Sequence, residues 1–74
     1  IPFPAPRSHG IYWDEGTIVC VETNHHVVYR LDPRDGTVLD QDVIAGFEPH
    51  GLTRSADGRI WVCDATTNRI GILE

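Results

Sequence analysis

The sequence predicts an all-β chain built from about two copies of one four-stranded unit. The first observation is a repeat. Ser8-His9-Gly10-Ile11 returns 41 residues later as Pro49-His50-Gly51-Leu52. Glu15-Gly16-Thr17-Ile18-Val19-Cys20-Val21-Glu22 returns 42 residues later as Asp57-Gly58-Arg59-Ile60-Trp61-Val62-Cys63-Asp64. His26-Val27-Val28-Tyr29 aligns with Arg69-Ile70-Gly71-Ile72 at a shift of 43, each added residue being placed in a turn, where insertions are tolerated. The second observation is the pattern within the unit. Short β-branched and aromatic runs are separated by turn residues, and no stretch carries a capped apolar stripe at helical spacing.

The elements follow in order. Pro2, Pro4 and Pro6 favour an extended entry and exclude a central strand there. Residues 10–14 and 51–55 read as first strands, 17–22 and 59–64 as second strands. The links Asp14-Glu15-Gly16 and Ala56-Asp57-Gly58 are turn chemistry, with glycine free to take positive φ. Residues 27–32 and 69–73 read as third strands. Asp32-Pro33-Arg34-Asp35-Gly36 is a hairpin turn, and 38–45 a fourth strand.

A four-stranded unit with a period of 41–43 residues has the length of a β-propeller blade. A blade is covered on both faces by its neighbours, which accounts for strands such as Thr17-Ile18-Val19-Cys20-Val21 being apolar on both sides. The chain then divides into residues 1–7, the end of a preceding blade or a closing strand; 8–47, blade one; and 48–74, blade two without its fourth strand. One or two blades are not expected to be stable alone. A six-bladed ring is expected, formed by self-association or with the remainder of a larger propeller chain. Three two-blade chains would close it, residues 1–6 of one chain completing the last blade of the next.

Size and charge narrow the function. A chain of 74 residues lies in the range where a core rarely supplies more than about 3–5 kcal/mol, and two cysteines make no disulfide framework. Six Lys+Arg, all arginine and scattered, against eleven Asp+Glu give a net charge of −5, so no nucleic-acid partner is expected. No apolar run approaches the roughly 18–20 residues of a membrane span, so no membrane partner is expected either. The sequence contains no methionine, so Ile1 is not expected to be a translation start.

Pro49-His50-Gly51-Leu52, Asp57-Gly58-Arg59-Ile60-Trp61-Val62-Cys63-Asp64 and Asn68-Arg69-Ile70 together resemble an NHL-type propeller repeat, in register twice over about residues 8–74. Three enzyme groups of that superfamily share local wording. The Pro-His-Gly-Leu, Asp-Gly and Trp-Val stretches are similar to blades of peptidyl-α-hydroxyglycine α-amidating lyase. That resemblance implies a zinc ion in the central channel, held by His50 and by His9, where Ser8 replaces the proline. The lyase draws its ligands from alternate blades, whereas His9 and His50 fall on adjacent ones. Residues 57–62 and 68–72 also resemble virginiamycin B lyase repeats. Tyr29-Arg30-Leu31-Asp32-Pro33 with Gly36 resembles the gluconolactonase group, in which calcium is bound. The superfamily implies an extracytoplasmic setting. All three readings stay open.

The residues themselves offer several candidates. His9 and His50 each open an innermost strand beside the channel, where a neutral imidazole can ligate zinc or act as a base. The alternative is packing at the blade entry. Tyr12 follows on the same strand, so its hydroxyl can reach the channel and a small-molecule ligand there. Glu22 and Asp64 recur at matching positions; they can hold calcium or serve as acid and base, or accept backbone N–H bonds in the following loop. His25 and His26 are expected to be exposed in a turn. Cys20 and Cys63 are one position out of register, so no disulfide is expected between them. Trp13, Trp61, Tyr12 and Phe47 are expected in blade packing, and Arg7 and Arg54 on solvated surface or against an anionic substrate. The function expected is an oligomerising scaffold or binding module; the alternative is part of a metal-dependent lyase or lactone hydrolase using His9, His50 and Tyr12.

Overall fold

A computed structural model describes residues 1–46 and 48–73. Seven strands form two antiparallel sheets. The first contains β1 (Ser8–Asp14), β2 (Thr17–Glu22), β3 (Val27–Leu31) and β4 (Val38–Val43) in that order; the second contains β5 (Pro49–Arg54), β6 (Ile60–Asp64) and β7 (Arg69–Leu73). The all-β, blade-like reading therefore holds, with one four-stranded and one three-stranded unit. The first strands of both units begin two residues earlier than the sequence indicates, at Ser8 and Pro49. Both carry a register irregularity just inside this start, between Ser8 and Ile11 and between Pro49 and Leu52. The equivalent position of these two breaks repeats the unit at the level of backbone pairing.

The turns show how the sequence sets the register. Glu15 (φ 48°) and Gly16 (φ 84°) both take positive φ, the backbone of a tight two-residue hairpin whose twist matches the strands it joins. The corresponding link after β5 is longer, so one inserted residue does lie there. The third strands correct the alignment above. Glu22 pairs with Val27 and Asp64 with Arg69, a constant shift of 42, so no residue is inserted before β7. His26 and Asn68 occupy the same turn position, both at φ 58°. Matching His26 to Arg69 by sequence followed residue type and missed this shared left-handed site.

The sheets pack face to face through β1 and β2 against β5. Val19, Val21 and Val28 of the first sheet, Leu52 of the second and Ile44 of the connector form the core, with Tyr12, Val62 and Leu73 packed around it. Each such aliphatic side chain contributes roughly 1.5–3 kcal/mol when fully buried. Gly10 sets the separation. A Cβ there would fall on the His50 carbonyl oxygen and lie 2.9 Å from the Gly51 Cα, so only glycine lets β1 approach β5 this closely.

Large apolar side chains stay exposed on the opposite faces of the two sheets. Ile11 (66 % exposed) and Trp13 (65 %) lie on the outer face of the first sheet, and Ile70 (73 %) on that of the second. Trp13 is therefore not part of the packing between these sheets: strand alternation directs it away from Tyr12 and Asp14. Residues 1–7 form no strand before Ser8. They fold over the outer face of their own sheet, where Phe3 meets Tyr29 edge to face at 5.4 Å. Phe47, expected in blade packing, lies outside the described residues.

Candidate functional site

The innermost strands bring His9 and His50 together. Each residue sits at the same place in its unit, and the close approach at Gly10 stacks the rings with centroids 3.8 Å apart and planes tilted by 54°. Desolvation, then the neighbouring His50 and the Arg7 cation, hold the His9 imidazole below its usual pKa of 6.5. A proton on His9 would face a second ring and a guanidinium, so the neutral form is favoured at neutral pH. That form carries a free lone pair, suited to accepting a hydrogen bond, taking a proton or binding a soft divalent ion.

A metal places definite demands on this pair. Two imidazoles sharing one tetrahedral ion, at metal–nitrogen distances near 2.0–2.1 Å, hold their centroids about 5 Å apart. The rings of His9 and His50 are closer than that and would have to rotate away from each other. Among the described residues no group of three His, Cys, Asp or Glu side chains converges here. The pair is a two-donor edge, and an imidazole set suits zinc rather than calcium, which prefers oxygen ligands.

Tyr12 is drawn into the stack between the sheets rather than left at its rim. It packs against the shared core, and its buried hydroxyl has no hydrogen-bond partner among the described residues. Desolvation, followed by the nearby Asp14 carboxylate, raises its pKa above 10.0.

Glu22 and Asp64 perform the same structural task twice. Glu22, wholly buried, accepts from the backbone N–H groups of Asn24 (3.0 Å) and His25 (2.8 Å). Asp64 accepts from Thr66 (3.0 Å), Thr67 (2.9 Å) and Glu48 (3.0 Å). Burial alone would raise the Glu22 pKa; the His25 side chain, whose Nδ1 lies 2.6 Å away, and the two backbone donors outweigh it and hold the carboxyl low. His25 is exposed as expected, but it is tied to Glu22 rather than free in its loop. Cys20 is buried and Cys63 exposed, both as free thiols.

Sequence reasoning missed one cluster. Arg54, read as solvated or anion-binding, donates from Nη1 to Asp14 Oδ1 at 2.6 Å across the two sheets. Arg30 approaches Asp14 Oδ2 at 3.0 Å and donates to Thr17 Oγ1 at 2.6 Å. The hydrogen bond from Arg54 is the main cause of a lowered Asp14 pKa. A signal was present: strand alternation puts Asp14 and Arg30 on the same face as Tyr12, Val19 and Val21, so two charges belong to an otherwise apolar surface. Arg7 donates to Asn24 Oδ1 at 3.2 Å, bracing the loop behind β2.

The two stacked sheets, with their repeated register and repeated carboxylate-anchored turn, define a pair of β-propeller-type blades. The family model described as the NHL repeat matches residues 48–73, the second of the two units. No curated protein matches the chain.

Proposed function

We propose that this chain is an oligomerising scaffold and binding module of the propeller type. The observation that carries the reading is the stack itself: two repeat units packed through one pair of faces, each leaving large apolar side chains exposed on its other face, Ile11 and Trp13 on the first and Ile70 on the second. Repeat arrays of this kind gain stability from unit-to-unit contacts, so uncovered apolar faces belong to an assembly. The stacked His9 and His50 rings lie on the innermost strands, the side on which a closed ring would have its channel. Native mass spectrometry of the 74-residue chain tests the reading. The expected result is a discrete assembly larger than one chain, and a monomer at every concentration would overturn it.

A second reading is favoured by the juxtaposition of the two imidazoles. In a metal-dependent propeller enzyme of the lyase or lactonase kind, His9 and His50 would hold zinc after their rings turn apart. Remaining ligands would come from water or from another blade. A bound zinc ion would polarise a substrate oxygen or activate water. For its part, this chain holds the His9 pKa below its usual value and places the two imidazoles side by side. Titration calorimetry with zinc tests this reading. Binding lost in His50→Ala without loss of β structure supports it, and zinc uptake equal in wild type and variant removes it.

A further inference from the structure

The internal packing interface has a counterpart on the outside of the molecule. Tyr12, Val19, Val21 and Val28 face Leu52, Val62 and Leu73 across the stack. Strand register makes Thr53, Trp61, Cys63 and Ile70 the equivalents of the first group, all on the outer face of the second sheet. It makes Ile11, Cys20 and Leu31 the equivalents of the second group, all on the outer face of the first sheet. We propose that the outer face of the second sheet receives the outer face of the first sheet from a second copy of this chain. The contact is head to tail and repeats the internal interface. It rests on the scaffold reading above and names the partner and the surfaces.

Three differences between the inside and outside faces fit this contact. First, the cross-strand pair Tyr12–Val19 becomes Thr53–Trp61. The large and small members exchange places, so the same pair of positions presents a similar volume. Second, the whole ion cluster is replaced together. Asp14, Arg30 and Arg54 correspond to Ser55, Ile72 and Trp13. In the proposed contact, Trp13 of one copy (65 % exposed here) meets Ile72 of the other (43 % exposed) where the internal interface has its salt bridges. A single charge left among these three would be buried without a partner, at considerable cost. None is left. Third, Phe3 is the sequence equivalent of Ile44, the connector residue buried inside the internal interface, and it lies against Tyr29. Ile1 and Pro2, which reach Gly36 over the face that carries Cys20 and Leu31, move off it to admit the second copy.

The two joined faces differ, so the contact is heterologous and propagates until a ring closes. This makes it separable from a two-fold dimer. Ile11→Asp blocks one face and Ile70→Asp the other. Both positions are solvent-exposed in the single chain, so each variant keeps its fold, checked by far-UV circular dichroism. Sedimentation velocity on each protein reads the result. The wild type is expected to assemble, each variant alone to be a monomer, and an equimolar mixture to form a one-to-one dimer. Only head-to-tail pairing restores a contact from two blocked chains. Trp13→Lys and Ile72→Lys form an independent pair with the same expected pattern. An assembled wild type with a mixture that stays monomeric overturns the head-to-tail contact and leaves the scaffold reading standing. Either single variant assembling as the wild type does also overturns it. A wild type that is monomeric throughout overturns both, the faces then being covered by further blades of another chain.

Discussion

Replacing Gly10 by alanine adds one methyl group at the tightest point between the sheets. The new Cβ would fall on the His50 carbonyl oxygen, 2.9 Å from the Gly51 Cα and 3.1 Å from the Leu52 nitrogen. All three obstacles are backbone atoms of β5, so no side chain can rotate aside and the strands must separate. Overpacking of this kind costs typically 1–3 kcal/mol, and rigid obstacles place Gly10→Ala near the upper end, at about 3 kcal/mol. The control is Gly71→Ala, whose Cβ meets nothing within 4 Å and whose cost is expected within about 0.5 kcal/mol of zero. Urea unfolding followed by Trp13 and Trp61 fluorescence measures both. With a slope near 1 kcal/mol per molar urea, the Gly10→Ala midpoint falls by about 3 M, which for a chain this small means little folded protein in water. Where a folded population persists, the separation of β1 and β5 also parts the His9 and His50 rings. The His9 proton resonances then titrate closer to 6.5 than in the wild type. A Gly10→Ala protein as stable as Gly71→Ala, with the His9 titration unmoved, would refute the claim that this glycine sets the sheet separation.

Leu52→Ala removes the second sheet's contribution to the buried core and is expected to cost about 3 kcal/mol, read as a lower urea midpoint. His9 is expected to titrate below 6.5 by nuclear magnetic resonance, and His50→Ala to raise its midpoint; because the folded value is lowered, the associated stability is complete above 6.5 and lost as pH falls through the folded value. Glu22→Ala strips two backbone donors of their acceptor and is expected to cost about 2 kcal/mol, whereas Glu22→Gln keeps one oxygen and costs less. Asp14→Asn is expected to lower the melting temperature at pH 7. It should also flatten the acid limb, since the lowered Asp14 pKa gives stability that is present above 3.8 and lost as pH falls through the folded value.

The strands were legible because their signals are local. β2 and β7 fall on the residues that the alternation of apolar side chains and turn chemistry indicates, Thr17–Glu22 and Arg69–Leu73. The carboxylates Glu22 and Asp64 were legible as loop anchors because a repeated residue in a repeated place most simply does one repeated job. His9 and His50 were legible as neighbours because they open equivalent innermost strands. The Asp14 cluster was not, since its partners are 40 positions apart and meet only after the sheets stack. The face that Trp13 takes was hidden for a related reason. An aromatic residue on a strand announces packing, but which neighbour it packs against depends on the parity of the strand and on which face the next unit takes.

That same cluster specifies which face goes with which. The inner face of the first sheet carries Asp14 and Arg30, and only a face bearing an arginine at the position of Arg54 completes them. If the outer face of the first sheet, with Trp13 at that position, were laid there instead, Asp14 would lose its hydrogen bond from Arg54 and stay buried beneath an indole. Breaking a buried charge pair by removing one partner is strongly destabilising, so this mismatched stack is disfavoured. In the converse mismatch, Arg54 would be laid on Ile72 and Ser55 and would bury a guanidinium without a counter-ion. The apolar side chains supply most of the attraction in the internal interface and in the proposed one, but they are too alike to choose a partner. The single exchange of Asp14, Arg30 and Arg54 for Ser55, Ile72 and Trp13 makes the choice: the second sheet stacks on the first within one chain, and in the proposed assembly the outer faces are left for one another.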